Sequence, residues 1–387
     1  MYKKITAGAF VLSLILFFVL VFLFPTDERA SVQENRPLKE MPALTLTTLF
    51  SGEFGEEFEE YLSDNVGYRS RFTALGAKIE KLRGIVSNQD GQIIDLANGT
   101  QLALHDGKIM EIFRQNPSVQ TAYTAVLNSY ADILPADTNM YLMLVPTQIE
   151  FDQSSYRTVS DSQKETIDSI YGALSGIACV NVYDRLAANS DAYIYFRTDH
   201  HWTQRGAYLG YAALMEAVGE QAIPLSSMAA DRRGGFLGYL YNQANVSEYA
   251  KFVDEIEFFC PGENYAVRAR ALENGEFVDY TTKLYSVPAE GAPTVYALFM
   301  GGDHAFAEIN TAVGNGKTAL VLKDSYANAL IPLLTSHYET ILVLDPRSYY
   351  GTVSDLLAER RIDDIFVINY TMTTTFSDFV ANLERIR

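Results

Sequence analysis

The sequence FRTDHHWT, residues 196–203, contains the only Trp and two of the five His of the chain. The apolar run at 192–196 before it predicts a short strand, and the apolar spacing of Gln204–Val218 after it predicts an amphipathic helix. Thr203 is the predicted N-cap of that helix. The stretch is therefore a loop between a strand and a helix N-terminus, where α/β proteins often carry catalytic side chains.

Within this loop, Asp199 and His201 have the spacing of a carboxylate that orients an imidazole. A carboxylate two residues before a histidine can hold the ring in one tautomer, provided that the intervening His200 points the other way. We expect His200 to be an exposed or supporting residue and Trp202 to belong either to the core or to a surface that stacks on a ligand.

The N-terminus has the pattern of a signal anchor. Lys3 and Lys4 precede an apolar run over 5–24, which is long enough to cross a hydrocarbon core of about 30 Å. No small-residue cleavage site follows the run, so we predict that residues 1–25 form a cytoplasmic tip and a single transmembrane helix. The positive flank places the remainder outside the cytoplasm, with 26–53 as a juxtamembrane linker.

Composition excludes several classes of function. The chain of 387 residues has a formal net charge of −18, which argues against a broad basic surface for nucleic acid. It has no CxxC, zinc-type His/Cys spacing, Walker loop or GxGxxG, so no cofactor and no metal are predicted. Cys179 and Cys260 are too few for a disulfide framework, and whether they pair is open.

Periodicity after residue 54 predicts an α/β domain that extends to residue 387. Two helices are expected within 54–82, and a β-rich insertion around 234–316 with alternating stretches such as Glu255–Phe259 and Thr294–Met300. The predicted strands are Met140–Val145, Val180–Tyr183, Thr318–Leu322, Thr340–Leu344 and Ile365–Asn369. The helices predicted between and after them are Glu165–Leu174, Tyr208–Val218, Ala327–Leu334 and Val353–Arg360. Short apolar strands alternating with helices indicate a mainly parallel sheet covered on both faces.

A second chemical candidate is Ser325, in the sequence Lys323-Asp324-Ser325-Tyr326 between a predicted strand and a predicted helix. The free N–H groups of a helix start would provide an oxyanion hole beside its hydroxyl. The plainer interpretation is that Ser325 caps the helix. Both this corner and the FRTDHHWT loop are expected at the carboxyl-end edge of one sheet, where sites in open α/β folds assemble.

Further substrate-binding or oxyanion candidates surround this corner. They are Tyr326, Asn328, Arg347, Trp202 and His200. For Asn328 and Arg347 the alternatives are a helix-face amide and a surface salt bridge.

Asp199-His200-His201-Trp202, together with Lys323–Asn328, Glu34–Pro37 and Asp64–Arg69, resembles the DHHW protein family, which is similar to the SGNH-hydrolase-like proteins of alginate O-acetylation. The resemblance implies a three-layer α/β/α domain of permuted order, with Asp and His before Ser. It implies Asp199 as orienting residue, His201 as base and Ser325 as nucleophile. It differs in having His200 inside the motif and Lys323-Asp324 before the Ser.

These expectations converge on an extracytoplasmic, membrane-anchored protein that transfers an acetyl group to, or removes it from, a cell-surface polysaccharide. The resemblance implies a membrane-bound O-acyltransferase as partner. Two alternatives remain open: a metal-dependent phosphoesterase built on Asp199-His200-His201, and a non-catalytic glycan-binding or scaffold protein that retains the fold.

Overall fold

A computed structural model describes residues 91–387 except 97, 263, 274–275 and 290–291, and short stretches before residue 62 (30–31, 36–37, 41–44, 54–55, 58–59 and 61). The chain divides into two units, Met1–Gln89 and Asp90–Arg387. In the first, β1 (Ala30–Ser31) pairs antiparallel with β2 (Arg36–Pro37). The predicted membrane helix at 1–25 lies outside the described residues, as does most of the helical prediction for 54–82. No helix among the described residues has both the length and the apolarity to span a bilayer.

The second unit is a mixed α/β fold. Its strands are β3 (Gln92–Asp95), β4 (Gln101–His105), β5 (Lys108–Glu111), β6 (Asn139–Val145), β7 (Ala178–Cys179), β8 (Ala229–Phe236), β9 (Asp254–Cys260), β10 (Tyr265–Glu273), β11 (Glu276–Thr282), β12 (Phe306–Thr311), β13 (Thr318–Lys323), β14 (Thr340–Leu344) and β15 (Asp364–Tyr370). Its α-helices are α1 (Pro117–Ala131), α2 (Gln163–Ala173), α3 (Tyr183–Ala187), α4 (Gln204–Val218), α5 (Tyr239–Ala244), α6 (Val353–Glu359) and α7 (Ser377–Arg385).

The main sheet has eight strands in the order β11-β10-β12-β14-β13-β15-β6-β7. The five strands from β14 to β7 are mutually parallel, whereas β12, β10 and β11 continue the sheet as an antiparallel edge. From β13 the chain moves to one neighbour, β14, and then returns to the other, β15. The carboxyl end of β13 is thus at a change of winding direction, the usual place for a site in such sheets.

The central parallel strands β6, β13, β14 and β15 are buried on both faces: their successive side chains point to opposite sides of the sheet, and both sides are covered. On β13, Leu320 and Leu322 pack with α1, α2, α6 and α7, whereas Ala319 and Val321 pack with α4 and the β8–β9 ribbon. This two-sided burial explains why the parallel strands are nearly continuous apolar runs.

The sequence predicts the central elements well. The strand at Thr340–Leu344 is confirmed, and those at 140–145, 318–322 and 365–369 are within one residue of the observed bounds at each end. The helix at 204–218 is confirmed, with Thr203 Oγ1 accepting a hydrogen bond from Gly206 N at its start. The helices at 165–174 and 353–360 are confirmed to within two residues.

Four local predictions are wrong. Residues 192–196 form no strand of the sheet; Tyr195 instead makes an isolated antiparallel bridge to Trp202 of the FRTDHHWT loop. Residues 180–183 follow β7 and lead into α3. Residues 327–334 lie in two 3-10 helices, Ser325–Ala329 and Ile331–Ser336, which are separated at Leu330. Pro332 is in the first turn of the second helix, and its missing N–H would break a continuous α-helix over these residues. Residues 294–300 contain a 3-10 turn in place of an alternating strand.

Candidate active site

The FRTDHHWT loop is closed on itself before α4 begins. Phe196 N donates to His201 O at 3.2 Å, and Thr203 N donates to Ile194 O at 2.9 Å. At the base of the loop, buried Asp254 accepts hydrogen bonds from the backbone N–H groups of Arg197 and Thr198. These bonds hold the loop in one conformation and thereby position the side chains of the motif.

Ser325 begins the 3-10 helix Ser325–Ala329 directly after β13. The N-cap of this helix is Asp324 and not Ser325: Asp324 Oδ1 accepts from Tyr326 N at 2.9 Å, and Oδ2 accepts from Tyr370 N at 2.9 Å. Burial raises the pKa of Asp324 to about 7, although these backbone donors oppose the shift. The plainer interpretation of Ser325 as a cap is therefore wrong.

The structure brings Asp199, His201 and Ser325 together. His201 Nε2 lies 2.8 Å from Ser325 Oγ, and His201 Nδ1 lies 2.6 Å from Asp199 Oδ1. Asp199 and His201 are buried and Ser325 is partly exposed. A proton on Nδ1, held by the carboxylate, leaves Nε2 as the acceptor for the Ser325 hydroxyl proton.

The carboxylate of Asp199 is held on both oxygens. Oδ1 also accepts from His201 N at 2.9 Å, and Oδ2 accepts from Tyr239 N at 2.7 Å. Burial alone would raise the pKa of Asp199, but the charges of His201 and His200 and these hydrogen bonds outweigh burial and hold the pKa well below its ordinary value. Asp199 is therefore ionised at neutral pH, as an orienting carboxylate must be.

His200 does not point away from His201, contrary to expectation. The two ring centroids are 3.9 Å apart, and His200 Nδ1 lies 3.8 Å from Asp199 Oδ1. Burial and the charge of His201 lower the pKa of His200, so it is neutral at pH 7 and does not compete for Asp199. Burial raises the pKa of Glu111; the charge of His200 opposes this shift, and the charge of Asp199 adds to it. Neither Glu111 Oε2 nor His200 Nδ1 finds a hydrogen-bond partner among the described residues.

Two aromatic candidates are structural. Trp202 is completely buried, and its Nε1 donates to Tyr326 O at 2.8 Å, so its ring offers no surface to a sugar. Tyr326 is also completely buried and donates its hydroxyl proton to His200 O. Its backbone N–H donates to Asp324, so neither donor of Tyr326 is available to an oxyanion.

Arg347 and Asn328 belong to a charged network next to the site. Asp303 accepts hydrogen bonds from Lys323 Nζ at 2.5 Å, Asn328 Nδ2 at 2.9 Å and Arg347 Nη2 at 2.8 Å. Arg347 also pairs with Asp345. Arg347 therefore forms salt bridges, as the alternative interpretation predicts. The side-chain amide of Asn328 donates one of its hydrogen bonds to Asp303.

Sequence patterns missed several residues that shape the site. Tyr296 stacks on the His201 ring with centroids 3.6 Å apart and planes at 8°, and its hydroxyl donates to Ser325 O at 3.2 Å. Asp254 and Glu111 come from strands distant in sequence, and Tyr239 contributes only a backbone N–H. No local motif marks these residues, since each acts through a tertiary contact.

The metal interpretation has a partial geometric basis. One ligand atom each of Asp199, His200 and His201 lie within 4.8 Å of one another. However, both ring nitrogens of His201 face partners already, Asp199 Oδ1 on one side and Ser325 Oγ on the other. The hydrogen-bonded arrangement therefore occupies atoms that a metal would need, and it favours serine chemistry.

Comparisons with known proteins agree with this architecture. The sequence pattern of the family described as DHHW protein matches residues 96–344, more than half of the chain. A crystal structure of a DHHW family protein from Eubacterium siraeum is 27% identical, with a TM-score of 0.66, and the match covers 75% of this chain and 98% of that one. No curated protein sequence matches the chain.

Two further solved structures are similar. Bacillus cereus PatB1 is 20% identical with a TM-score of 0.62, over 72% of this chain and 99% of PatB1, and it has also been solved with a sulfonyl adduct. The O-acetyltransferase domain of Pseudomonas putida AlgJ is a remote match, 12% identical with a TM-score of 0.40, over 76% of this chain and 99% of that one.

Proposed function

The chain belongs to the DHHW protein family, and from that premise we propose that it is an SGNH-hydrolase-like enzyme that moves an acetyl group to or from a cell-surface polysaccharide. The observation that carries the proposal is the line of contacts from Asp199 through His201 to Ser325, at 2.6 and 2.8 Å. The chain order of these residues, Asp and His before Ser, fits the permuted arrangement of the alginate proteins.

The contacts support a two-step acyl transfer. His201 Nε2 takes the Ser325 hydroxyl proton while Oγ attacks the carbonyl carbon of an acetyl ester. The tetrahedral intermediate collapses, the proton passes to the departing alcohol, and acetyl-Ser325 remains. A sugar hydroxyl or water then gives its proton to His201, attacks the acetyl carbon and releases Ser325. Asp199 keeps the imidazolium oriented and balances its charge throughout.

The partner and the location are part of the proposal. The Lys3 and Lys4 flank and the apolar run at 5–24 support an anchored protein with its active site outside the membrane. Transfer needs an acetyl donor there, which a membrane-bound O-acyltransferase would supply. Protease added outside intact protoplasts should digest the bulk of the chain, and the chain should stay in the membrane fraction after a high-salt wash. Protection of the catalytic unit would overturn this orientation.

The chemistry is tested on the full-length chain purified in detergent. With p-nitrophenyl acetate we expect a burst of nitrophenol and an acetyl adduct on the Ser325 peptide. Ser325→Ala and His201→Ala should each remove most of the rate, and the double variant should be little slower than either, because triad residues act as a unit. Ser354→Ala, at an exposed helix start, is the matched control.

A sulfonyl fluoride offers a second probe, since PatB1 has been solved with a sulfonyl adduct. It should modify Ser325 in the wild-type chain and leave the His201→Ala variant largely unmodified. Addition of oligosaccharide should divert acetyl from water to sugar if the enzyme is a transferase. A chain that forms no acyl-enzyme, and whose Ser325→Ala form supports normal glycan acetylation in cells, would leave only the scaffold role.

A further inference from the structure

A cleft of about 510 Å³ is lined in part by the segment that leads into the FRTDHHWT loop. We call it the side cleft. Its walls are the β4–β5 hairpin, the 3-10 helix Gln148–Phe151 with the residues after it, and residues 190–197. Side chains that line it include His105, Lys108, Phe151, Ser154, Tyr193 and Arg197. Its size is within the range of pockets that bind small organic ligands, about 300–1,000 Å³.

The side cleft is joined to the proposed active site by hydrogen-bonded backbone. Ile109 N donates to Arg197 O at 2.8 Å, which attaches the hairpin to the loop. Arg197 lies two residues before Asp199, so their Cα atoms are at most about 7 Å apart. An extended molecule in the side cleft would therefore lie alongside the segment that carries the motif.

The lining has the chemistry of a sugar site. The guanidinium of Arg197 lies 4.9 Å above the Tyr193 ring, and Phe151 packs 6.3 Å from the buried Tyr195 ring. The partly exposed ring of Phe151 suits the C–H face of a pyranose, while the side-chain amides of Gln148 and Gln153, which also line the cleft, can exchange hydrogen bonds with hydroxyl groups. The lining thus combines apolar faces with donors and acceptors.

Its charges do not favour an anion. Lys108 Nζ lies 3.6 Å from Asp152 Oδ1, and Arg197 Nη1 lies 3.9 Å from Asp254 Oδ1, so each cation already has a carboxylate partner. Exposed Asp106 also lines the cleft, in a chain whose net charge is −18. An anionic polymer would meet repulsion here, whereas an uncharged one would not.

We propose that the side cleft binds an uncharged stretch of the polysaccharide acceptor, as a subsite separate from Asp199, His201 and Ser325. The choice of a glycan rests on the proposed function, but binding at this cleft does not require acyl transfer. The cleft would hold sugar residues adjacent to the one that is acetylated, and so would select the polymer.

The test measures binding of full-length protein in detergent by isothermal titration calorimetry. The probes are neutral hexa-saccharides of glucose and of N-acetylglucosamine, with hexagalacturonate as the anionic comparison. Ala192→Trp places a large ring at an exposed position of the cleft wall. Ala358→Trp, at an exposed position of α6, is the matched control. Thermal unfolding of both variants checks that they fold.

We expect at least one neutral oligosaccharide to bind, Ala192→Trp to weaken it tenfold or more, and Ala358→Trp to leave it unchanged. The double variant Lys108→Ala and Arg197→Ala should also weaken binding of that oligosaccharide, and it does so by removing side chains from the cleft wall where Ala192→Trp adds one. Ser325→Ala should bind as the wild type does, which separates this site from the chemistry. Absence of binding by the wild type, stronger binding of hexagalacturonate, or unaltered binding in folded Ala192→Trp would each overturn the proposal, whereas failure of acyl-enzyme formation would overturn only the proposed reaction.

Discussion

Removal of the Asp254 carboxylate should disable the site without touching any residue of the motif. Asp254 is buried and accepts from Thr198 N at 2.8 Å, from Thr198 Oγ1 and Tyr193 OH at 2.5 Å each, and from Arg197 N at 3.0 Å. Each of these donors would lose its partner in Asp254→Ala. The substitution therefore releases the start of the FRTDHHWT loop, which carries Asp199 and His201.

The size of the effect follows from these bonds. A buried donor left without an acceptor costs about 1–3 kcal/mol. In Asp254→Ala the donors of Thr198 and Tyr193 lose their acceptor, which should lower the free energy of unfolding by on the order of 4 kcal/mol. Asp254→Asn should cost only about 1 kcal/mol. Its remaining oxygen can still accept from Thr198, and the Tyr193 hydroxyl can turn to accept from the new amide. A displacement of about 1 Å at a reacting group costs roughly 10²-fold in rate, the loss we expect for Asp254→Ala.

The assay pairs guanidinium unfolding with the nitrophenol burst, both on the full-length chain. Glu255→Ala is the matched control, because Glu255 is the next residue in β9, its side chain forms an exposed pair with Arg232 at 3.4 Å, and the substitution keeps its backbone N–H. Such pairs contribute about 0–1 kcal/mol, so this variant should behave as the wild type. If Asp254→Ala unfolded at the same denaturant concentration as Glu255→Ala and acylated Ser325 at the wild-type rate, the positioning role of Asp254 would be refuted.

Substitutions at three other positions test the surroundings of Asp199, His201 and Ser325. Gly238→Ala should cut the burst rate about 10²-fold, because the new Cβ would overlap the Asp199 side chain, whereas Gly234→Ala meets nothing within 4 Å and should be neutral. Asp324→Asn should become more stable relative to wild type as pH rises from about 4 to about 7. In the folded wild type the pKa of Asp324 is raised to about 7, so the protonated carboxyl stabilises the fold fully at pH values below the ordinary pKa of an Asp. As pH rises from that value to about 7, the wild type loses about 1 kcal/mol of stability per pH unit, whereas an Asn side chain does not titrate. Guanidinium midpoints of the two proteins that keep a constant difference at pH 4.5 and 7.5 would contradict this. Tyr296→Leu should lower the burst rate more than Tyr296→Phe, which keeps the stacked ring, and equal rates would show that the stack does not position the imidazole.

The central sheet could be predicted because its strands are buried on both faces. Such a strand must be apolar at nearly every position, so β13, β14 and β15 stand out as short continuous runs. Helix α4 was also predictable, since Thr203 marks its start and its apolar spacing continues to Val218. In both cases the information is local, because the hydrophobic pattern itself determines which element forms.

The antiparallel edge was harder. Strands β10 and β11 include many polar residues because they lie at or next to the edge of the sheet, and their pattern is shared with independent ribbons. The region 234–316 therefore suggests an insertion, whereas β10, β11 and β12 hydrogen-bond into the main sheet. Register and strand order depend on pairing with distant β14, which no local pattern carries.

By itself, the sequence determined the parallel core, the helix after the motif, and Asp199, His201 and Ser325 as the residues to examine. Only the tertiary structure decided that the Ser325 hydroxyl lies 2.8 Å from His201, that Trp202 is core, and that His200 packs against His201. It also supplied Asp254, Tyr296 and Glu111, which come from elements far apart in the chain. The reason is physical: residue type and periodicity report how much a side chain is buried, whereas the partner it meets there is set by the packing of elements that are distant in sequence.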